Sequence, residues 1–418
     1  MRMQPLRRWR SVFLAGVCGL FISRLSAQTA AARAQPPSPG LPAVIAEQAA
    51  LDLVDAVLLF DHLAMRSATV TSPDYLTRIS EPSSKFHESY LEYRQGRISR
   101  AELVRRLPHI AMIGDSLSKN FYISSPASIL WRARTERRKD WFLDNDPSPD
   151  SVNSLFERLE SVTPLVATEY SRSGASVAPP HVPEAFSRRL ARTRNLEGQI
   201  KEVTQAKRFP DVILLWIGHN NTEWVPTLSQ SERRAPEKHL REIARKLAEN
   251  YAEELTPLLD RANTQNHRVA MVVFGLADFK TFFKSRRKAA ALHAGNPKLY
   301  PYYEASCRYF EALQPVCQRD TTRLGLMMND ELRRMVNTLN RESKAAANVR
   351  LQYSDALWKI DLGRLERLHR MDSWHPSVIG HDVLAEAAFK AIVPSLEFVG
   401  IEQSETSRSN HAAHHLAR

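Results

Sequence analysis

The chain has 418 residues, 43% hydrophobic and 25% charged, which is ample for a large buried core and excludes a disordered chain. Its 14 glycines and 24 prolines exclude a collagen-like or low-complexity chain, and no repeat of fixed period runs through it. The formal net charge is +12, but five arginines and no acid stand in the first 27 residues, so the remainder carries +7; that suits an anionic surface without calling for nucleic acid.

Residues 1–27 read as an export signal, with a basic start through Arg10, an apolar run from Val12 to Ile22 and the small pair Ser26-Ala27. The run is shorter than the roughly 20 residues a spanning helix needs. Export to a periplasm or to the medium is therefore expected. Loss of the signal removes Cys18 and leaves Cys307 and Cys317. In an oxidising compartment these most simply form one disulfide, contributing roughly 2–3 kcal/mol if unstrained; two buried thiols are the other reading. Neither sits in a CxxC pattern, so zinc and redox roles fit poorly.

Residues 28–42 form a Pro-rich linker of small residues. Residues 43–107 read as an N-terminal helical extension: an amphipathic helix from Ala43 to Met65, then helical stretches over 74–106 broken at Glu81-Pro82.

From His109 apolar runs end in polar or Gly-containing turns, with helical stretches between them. The runs are His109–Ile113, Leu165–Tyr170, Asp211–Ile217, Arg268–Phe274 and Val349–Tyr353. Glu237–Leu259 is the clearest helix, and a last helix runs from about Ser377 to Val393. This alternation predicts an α/β domain over 108–398, a doubly wound parallel sheet with helices on both faces. Residues 399–418 read as a flexible tail. Ligands of such sheets bind beyond the carboxyl ends of the strands, so functional residues are expected just after the apolar runs.

Four polar sites stand there or ahead of the last helix: Gly114-Asp115-Ser116-Leu117, Ser171-Arg172-Ser173-Gly174, Gly218-His219-Asn220-Asn221 and Asp372-Ser373-Trp374-His375. A serine hydroxyl is a poor nucleophile until a base takes its proton. His375 is the candidate base and Asp372 the group that orients it. Attack on an ester makes an oxyanion, for which the main-chain N–H groups of Ser116 and Gly174 and the Asn220 amide are candidate donors. Gly174 lets the backbone approach closely. Asp115 is placed to hold the nucleophile turn by local hydrogen bonds.

In these blocks the chain resembles the SGNH (GDSL-type) serine hydrolases. Ile113-Gly114-Asp115-Ser116-Leu117 matches the nucleophile block, Gly174 the second, Gly218-His219-Asn220-Asn221 the Gly-x-Asn-Asp block, and Asp372 with His375 the final Asp-x-x-His. Asn221 departs from the family's usual Asp. The resemblance implies a flavodoxin-like SGNH hydrolase fold and a Ser116–His375–Asp372 triad, with Ser116, Gly174 and Asn220 binding the oxyanion and no cofactor or metal.

Phe121-Tyr122-Ile123, Ser171 to Ser176, Phe274 to Asp278 and the Tyr300–Cys317 segment resemble the lipid-deacylating branch, acyloxyacyl hydrolase and phospholipase B-like enzymes. Residues 28–107 lack the cysteine-rich small domain of acyloxyacyl hydrolase. The substrate so implied is an acyl ester of a lipid or glycolipid, with an anionic membrane surface as a possible partner and no specific nucleic acid. A polysaccharide acetylesterase and a non-catalytic polyanion-binding protein are the rival readings.

Three features read as structural. His219 is the variable position of its block, and His381, six residues after His375, lacks the spacing of a metal pair. Asp144, Asp146, Ser148 and Asp150 start like a calcium loop but have Pro149 at the glycine position and Leu155 at the twelfth, so they read as a solvated acidic loop. The aromatic and basic segment 276–310, and the run Arg132–Lys139 flanked by Trp131, Trp141 and Phe142, suit either an acyl chain with an anionic head group or a packed insertion with a charged face.

Overall fold

Every residue of β2 (His109–Gly114), β3 (Val166–Glu169), β4 (Val212–Trp216) and β5 (Val269–Phe274) is buried in the computed structural model. That is the condition of central strands in a sheet covered on both faces, and it is why they read as unbroken apolar runs. With β6 (Val349–Ser354), which is half-buried, they pair in parallel in the order β3-β2-β4-β5-β6. Each strand ends within one residue of its expected bounds. The structure describes residues 66–69, 85–118, 140–143, 152–172, 174–177, 195–222, 236–300, 303, 315–342, 346–370 and 373–401, with the backbone alone at 66–69 and 85.

The extension is helical at α1 (Lys85–Arg94) and α2 (Arg100–Arg106), as expected. It also holds a strand where only helices are expected: β1 (Arg66–Thr69) pairs antiparallel with β3 at the sheet edge. Its sequence, Arg-Ser-Ala-Thr, has no apolar alternation to betray it, and the ladder it joins is a main-chain property. The signal, the linker, the helix expected at Ala43–Met65 and the tail beyond 401 lie outside the described residues. So does Cys307. Cys317 is buried, and no disulfide is formed among the described residues.

The remaining helices are α3 (Leu155–Glu160), α4 (Leu196–Gln205), α5 (Pro236–Asn263), α6 (Phe279–Gly295), α7 (Gln318–Arg341) and α8 (Val378–Phe398). α4, α5 and α7 pack side by side as one layer, and α3 packs against α8. Right-handed crossovers between parallel strands put these two groups on opposite faces. Local signals set the starts. Ser154 and Glu157 make a reciprocal capping box at α3, and Asn195, Asp278 and Ser377 cap α4, α6 and α8. α5 buries the expected stripe, Leu240, Leu247, Tyr251, Leu255 and Leu258 included, but leaves Ile243 only partly covered. α8 runs through Pro394 and ends one turn later than expected.

Chain order and spatial order part company at β2. The chain moves from β2 outward to β3, then crosses back over β2 to β4. Loops leaving β2, β3 and β4 therefore diverge at one carboxyl edge and open a crevice there. Ser116, Gly174 and Asn220 lie on these three loops.

Candidate active site

The nucleophile turn is held from beneath by main-chain contacts. The Gln199 amide, buried on α4, accepts the Gly114 N–H and donates to the Gly114 carbonyl, both at 2.9 Å. A Cβ at Gly114 would overlap the Ser118 side chain, whose hydroxyl donates to the Trp216 carbonyl at 2.9 Å. Glycine is therefore required here by close approach.

Asp115 is fully buried and binds two loops at once. Its Oδ1 accepts the Leu117 N–H at 3.0 Å. Its Oδ2 accepts the N–H groups of Gly218 and His219 at 3.3 and 3.2 Å and lies 2.8 Å from His219 Nδ1. His219 Nε2 accepts the Ala277 N–H at 3.1 Å, which brings in the loop after β5. The role expected for Asp115 is thus present and wider than expected.

Ser116 Oγ lies 2.8 Å from His375 Nε2, and both residues are buried. Four features place His375. Its carbonyl accepts the His369 N–H at 2.8 Å, and Pro376 bridges to Leu368. Ser373, at φ 56°, turns the chain through the left-handed region, which costs a non-glycine residue about 1–3 kcal/mol. Trp374 packs against Phe279 and Phe282, ring centres 5.7 and 4.9 Å away. Asp372, assigned by the sequence to orient His375, lies outside the described residues.

The oxyanion donors flank Ser116. Gly174 sits at φ 73°, and a Cβ there would meet no atom of the described residues. The backbone's left-handed turn, rather than close approach to the protein, is what asks for glycine at this position. Asn220 Nδ2 donates one N–H to the Ala175 carbonyl at 2.7 Å, and no acceptor among the described residues takes the second. Among the described residues no acceptor takes the N–H of Ser116 or of Gly174. Unpaired donors are rare at buried positions such as Ser116 and fit sites where charge develops during reaction. Asn221, the departure from the family pattern, accepts the Val177 N–H through Oδ1 at 2.9 Å, a role open to either Asn or Asp.

A family model described as GDSL-like lipase/acylhydrolase matches residues 110–388, more than half of the chain. The chain belongs to this family. No curated protein matches it. Family membership makes it a hydrolase acting on esters.

Within this GDSL hydrolase, several residues passed over by sequence reasoning support the site. Gln199 is one. Asn329 on α7 is its counterpart, clamping Leu276 after β5 by accepting its N–H at 2.6 Å and donating to its carbonyl at 3.1 Å. Both are polar amides on mostly apolar helix stripes, and that interruption is the signal that could have found them. His381 accepts the Trp141 N–H through Nδ1 at 3.2 Å. Burial, then the neighbouring His375 and His369, push its pKa down to about 3.

Of the two readings of the aromatic segments, the described rings fit the packed insertion. Phe279, Phe282 and Phe283 are core, as are Trp141 and Phe142, with Trp141 edge-on to Trp216 and Phe274. Tyr300 is buried, and Tyr303 lies under the Arg286 guanidinium. Period-free aromatic runs carry no sign of which way the rings point, and burial claims these. Tyr302, Tyr309, the Asp144–Asp150 loop and the run Arg132–Lys139 lie outside the described residues.

Proposed function

We propose that this hydrolase is an exported serine esterase that removes acyl chains from a lipid or glycolipid, using Ser116, His375 and Asp372. The Ser116 Oγ–His375 Nε2 contact of 2.8 Å carries the reading. His375 Nε2 takes the hydroxyl proton as Ser116 Oγ adds to the ester carbonyl. The oxyanion is received by the N–H groups of Ser116 and Gly174 and the second N–H of Asn220. His375 returns the proton to the leaving alcohol, and Asp372 holds its tautomer. A water, deprotonated in the same way, releases the acid. Export is supported by residues 1–27, and an acyl-lipid substrate by the family's description and by the motifs shared with lipid-deacylating enzymes.

A fluorophosphonate probe tests the nucleophile. Labelling that maps by mass to Ser116, and is absent from Ser116→Ala and His375→Ala, is the expected result. With a soluble ester, Ser116→Ala is expected to lower kcat by roughly 10⁴-fold or more, and Asn220→Ala by roughly 10²–10³-fold. Folded protein that takes no label would end the esterase reading. A series of esters of rising chain length separates the substrates, since a maximum at acetyl removes the acyl-lipid assignment.

A further inference from the structure

From Phe279 to Tyr303 the chain carries six Lys and Arg residues and no Asp or Glu. Arg286 is buried under Tyr303. The other five, Lys280, Lys284, Arg287, Lys288 and Lys298, are exposed. The four on α6 recur at three- and four-residue spacing and so share one face. Among the described residues none of the five makes an ion pair. Arg287 reaches Gln318 Oε1 at 3.5 Å, and Lys288 reaches the Gly363 carbonyl at 3.4 Å. Among the described residues, Asp278 caps α6, Asp361 accepts the Gly363 N–H, and Asp320 sits beside Arg319.

Exposed aliphatic side chains stand on α6 and next to it. Leu292 continues the α6 face and is 41% exposed, Leu299 in the following 3₁₀ turn (Pro297–Leu299) is 41% exposed, and Val316 is 71% exposed. Single exposed aliphatics need no explanation, but Leu292 and Leu299 follow the α6 cations along the chain, and Val316 stands two residues before Gln318, the partner of Arg287.

The contacts of α6 place the helix at the reactive edge of the sheet. Thr281 Oγ1 accepts the Leu362 N–H at 3.3 Å, Lys288 meets Gly363, Arg287 meets the start of α7, and Phe279 and Phe282 pack on Trp374. Residues 361–363 follow the carboxyl end of β6, and Trp374 precedes His375. α6 therefore lies across the same carboxyl edge that holds Ser116 and His375.

We propose that the outer face of α6, with the turn after it and Val316, docks on an anionic lipid surface and brings the ester-bearing interface to Ser116. Phosphate head groups take the cations, while the shallow acyl region takes Leu292, Leu299 and Val316. A soluble polyanion has a use for the cations alone. Among the described residues no helix is long and apolar enough to cross a membrane. The consequence for catalysis rests on the esterase reading; binding does not.

Co-sedimentation of the full chain with vesicles of phosphatidylcholine alone, and of phosphatidylcholine with phosphatidylglycerol, tests the proposal. Binding is expected only to the anionic vesicles, weakening with salt. Lys284→Glu/Lys288→Glu is expected to lose roughly tenfold or more in affinity, and Leu292→Ser/Val316→Ser several-fold, while both keep wild-type turnover of a soluble short-chain ester. Equal binding to neutral vesicles, or wild-type binding by both variants, overturns the proposal. Loss in the charge variant with none in the aliphatic variant overturns it in favour of a polyanion site. Failure of the wild type to turn over any ester, with vesicle binding intact, counts against the esterase reading and leaves the docking surface standing.

Discussion

At the scale of single residues, His219 shows how the site is kept in register. Its Nε2 accepts the Ala277 N–H, so the ring proton must sit on Nδ1, where it is donated to Asp115 Oδ2. The Trp216 ring stands edge-on to it, ring centres 4.9 Å apart. One side chain thus joins the loops after β2, β4 and β5, immediately before Asn220. His219 is a positioning residue, and its loss should act through the Asn220 donor. His219→Phe is expected to lower kcat by roughly 10–100-fold with little change in KM, as sub-ångström misplacement does. His219→Asn, able to donate to Asp115, should recover much of the loss. Steady-state kinetics on a soluble ester below the melting transition decide it. A matched rise in KM, or no rescue by Asn, would leave His219 a purely structural residue.

At the scale of elements, buried polar side chains on helices brace the strand ends. Gln199 on α4 satisfies both main-chain groups of Gly114, 85 residues away in sequence. Gln199→Leu strands the buried Gly114 N–H, while the Gly114 carbonyl keeps the Arg172 N–H at 3.0 Å. The substitution is expected to lower stability by about 2–3 kcal/mol by urea unfolding, against under 0.5 kcal/mol for an exposed control on the same helix.

Histidines brace elements as well, and make the fold sensitive to acid. His381 ties α8 to Trp141, and His109 on β2 meets Thr168 on β3 at 2.8 Å. Burial pushes His381 down to about 3 and, with Arg208 nearby, His109 down to about 4, from an ordinary 6.5. Below pH 6.5 the unfolded chain takes up protons that the folded chain refuses. Stability is therefore full above pH 6.5 and falls as pH drops towards 4 and then 3, at most about 1.4 kcal/mol per pH unit for each histidine. Urea midpoints measured between pH 7 and 4 should show this slope, and His381→Gln should reduce it. A slope unchanged in that variant would remove His381 as its source.

At the scale of the whole molecule, strand order is what assembles the chemistry. Ser116 and His375 are 259 residues apart in the chain and 2.8 Å apart in space. They meet because β2 is central in the sheet and the segment before α8 returns over the same carboxyl edge. The β3-β2-β4 order puts the Gly174 and Asn220 loops on either side of the nucleophile. α6 crosses that edge too. Its unpaired charge is the local form of a basicity that the whole-chain total of +12 only averages.

The sequence by itself determined what is local and contiguous. The central strands were legible because two-sided burial turns each into an unbroken apolar run. The candidate site residues were legible because each sits in a short block where a strand meets a turn. Helix starts were legible at Ser377, whose side chain caps the next turn. Tertiary structure alone decided whatever depends on a distant partner. β1 is too short and polar to carry a pattern. His219 has its role only through Asp115, 104 residues earlier. Gln199 and Asn329 look like flaws in their helices until the strand ends they clamp are in place. Phe279, Phe282 and Phe283 turn inward while Leu292 and Val316 face out, although all are equally apolar in sequence. Hydrogen bonds and burial are made between elements, and one-dimensional periodicity records only which face of an element is apolar, not what the other elements bring to meet it.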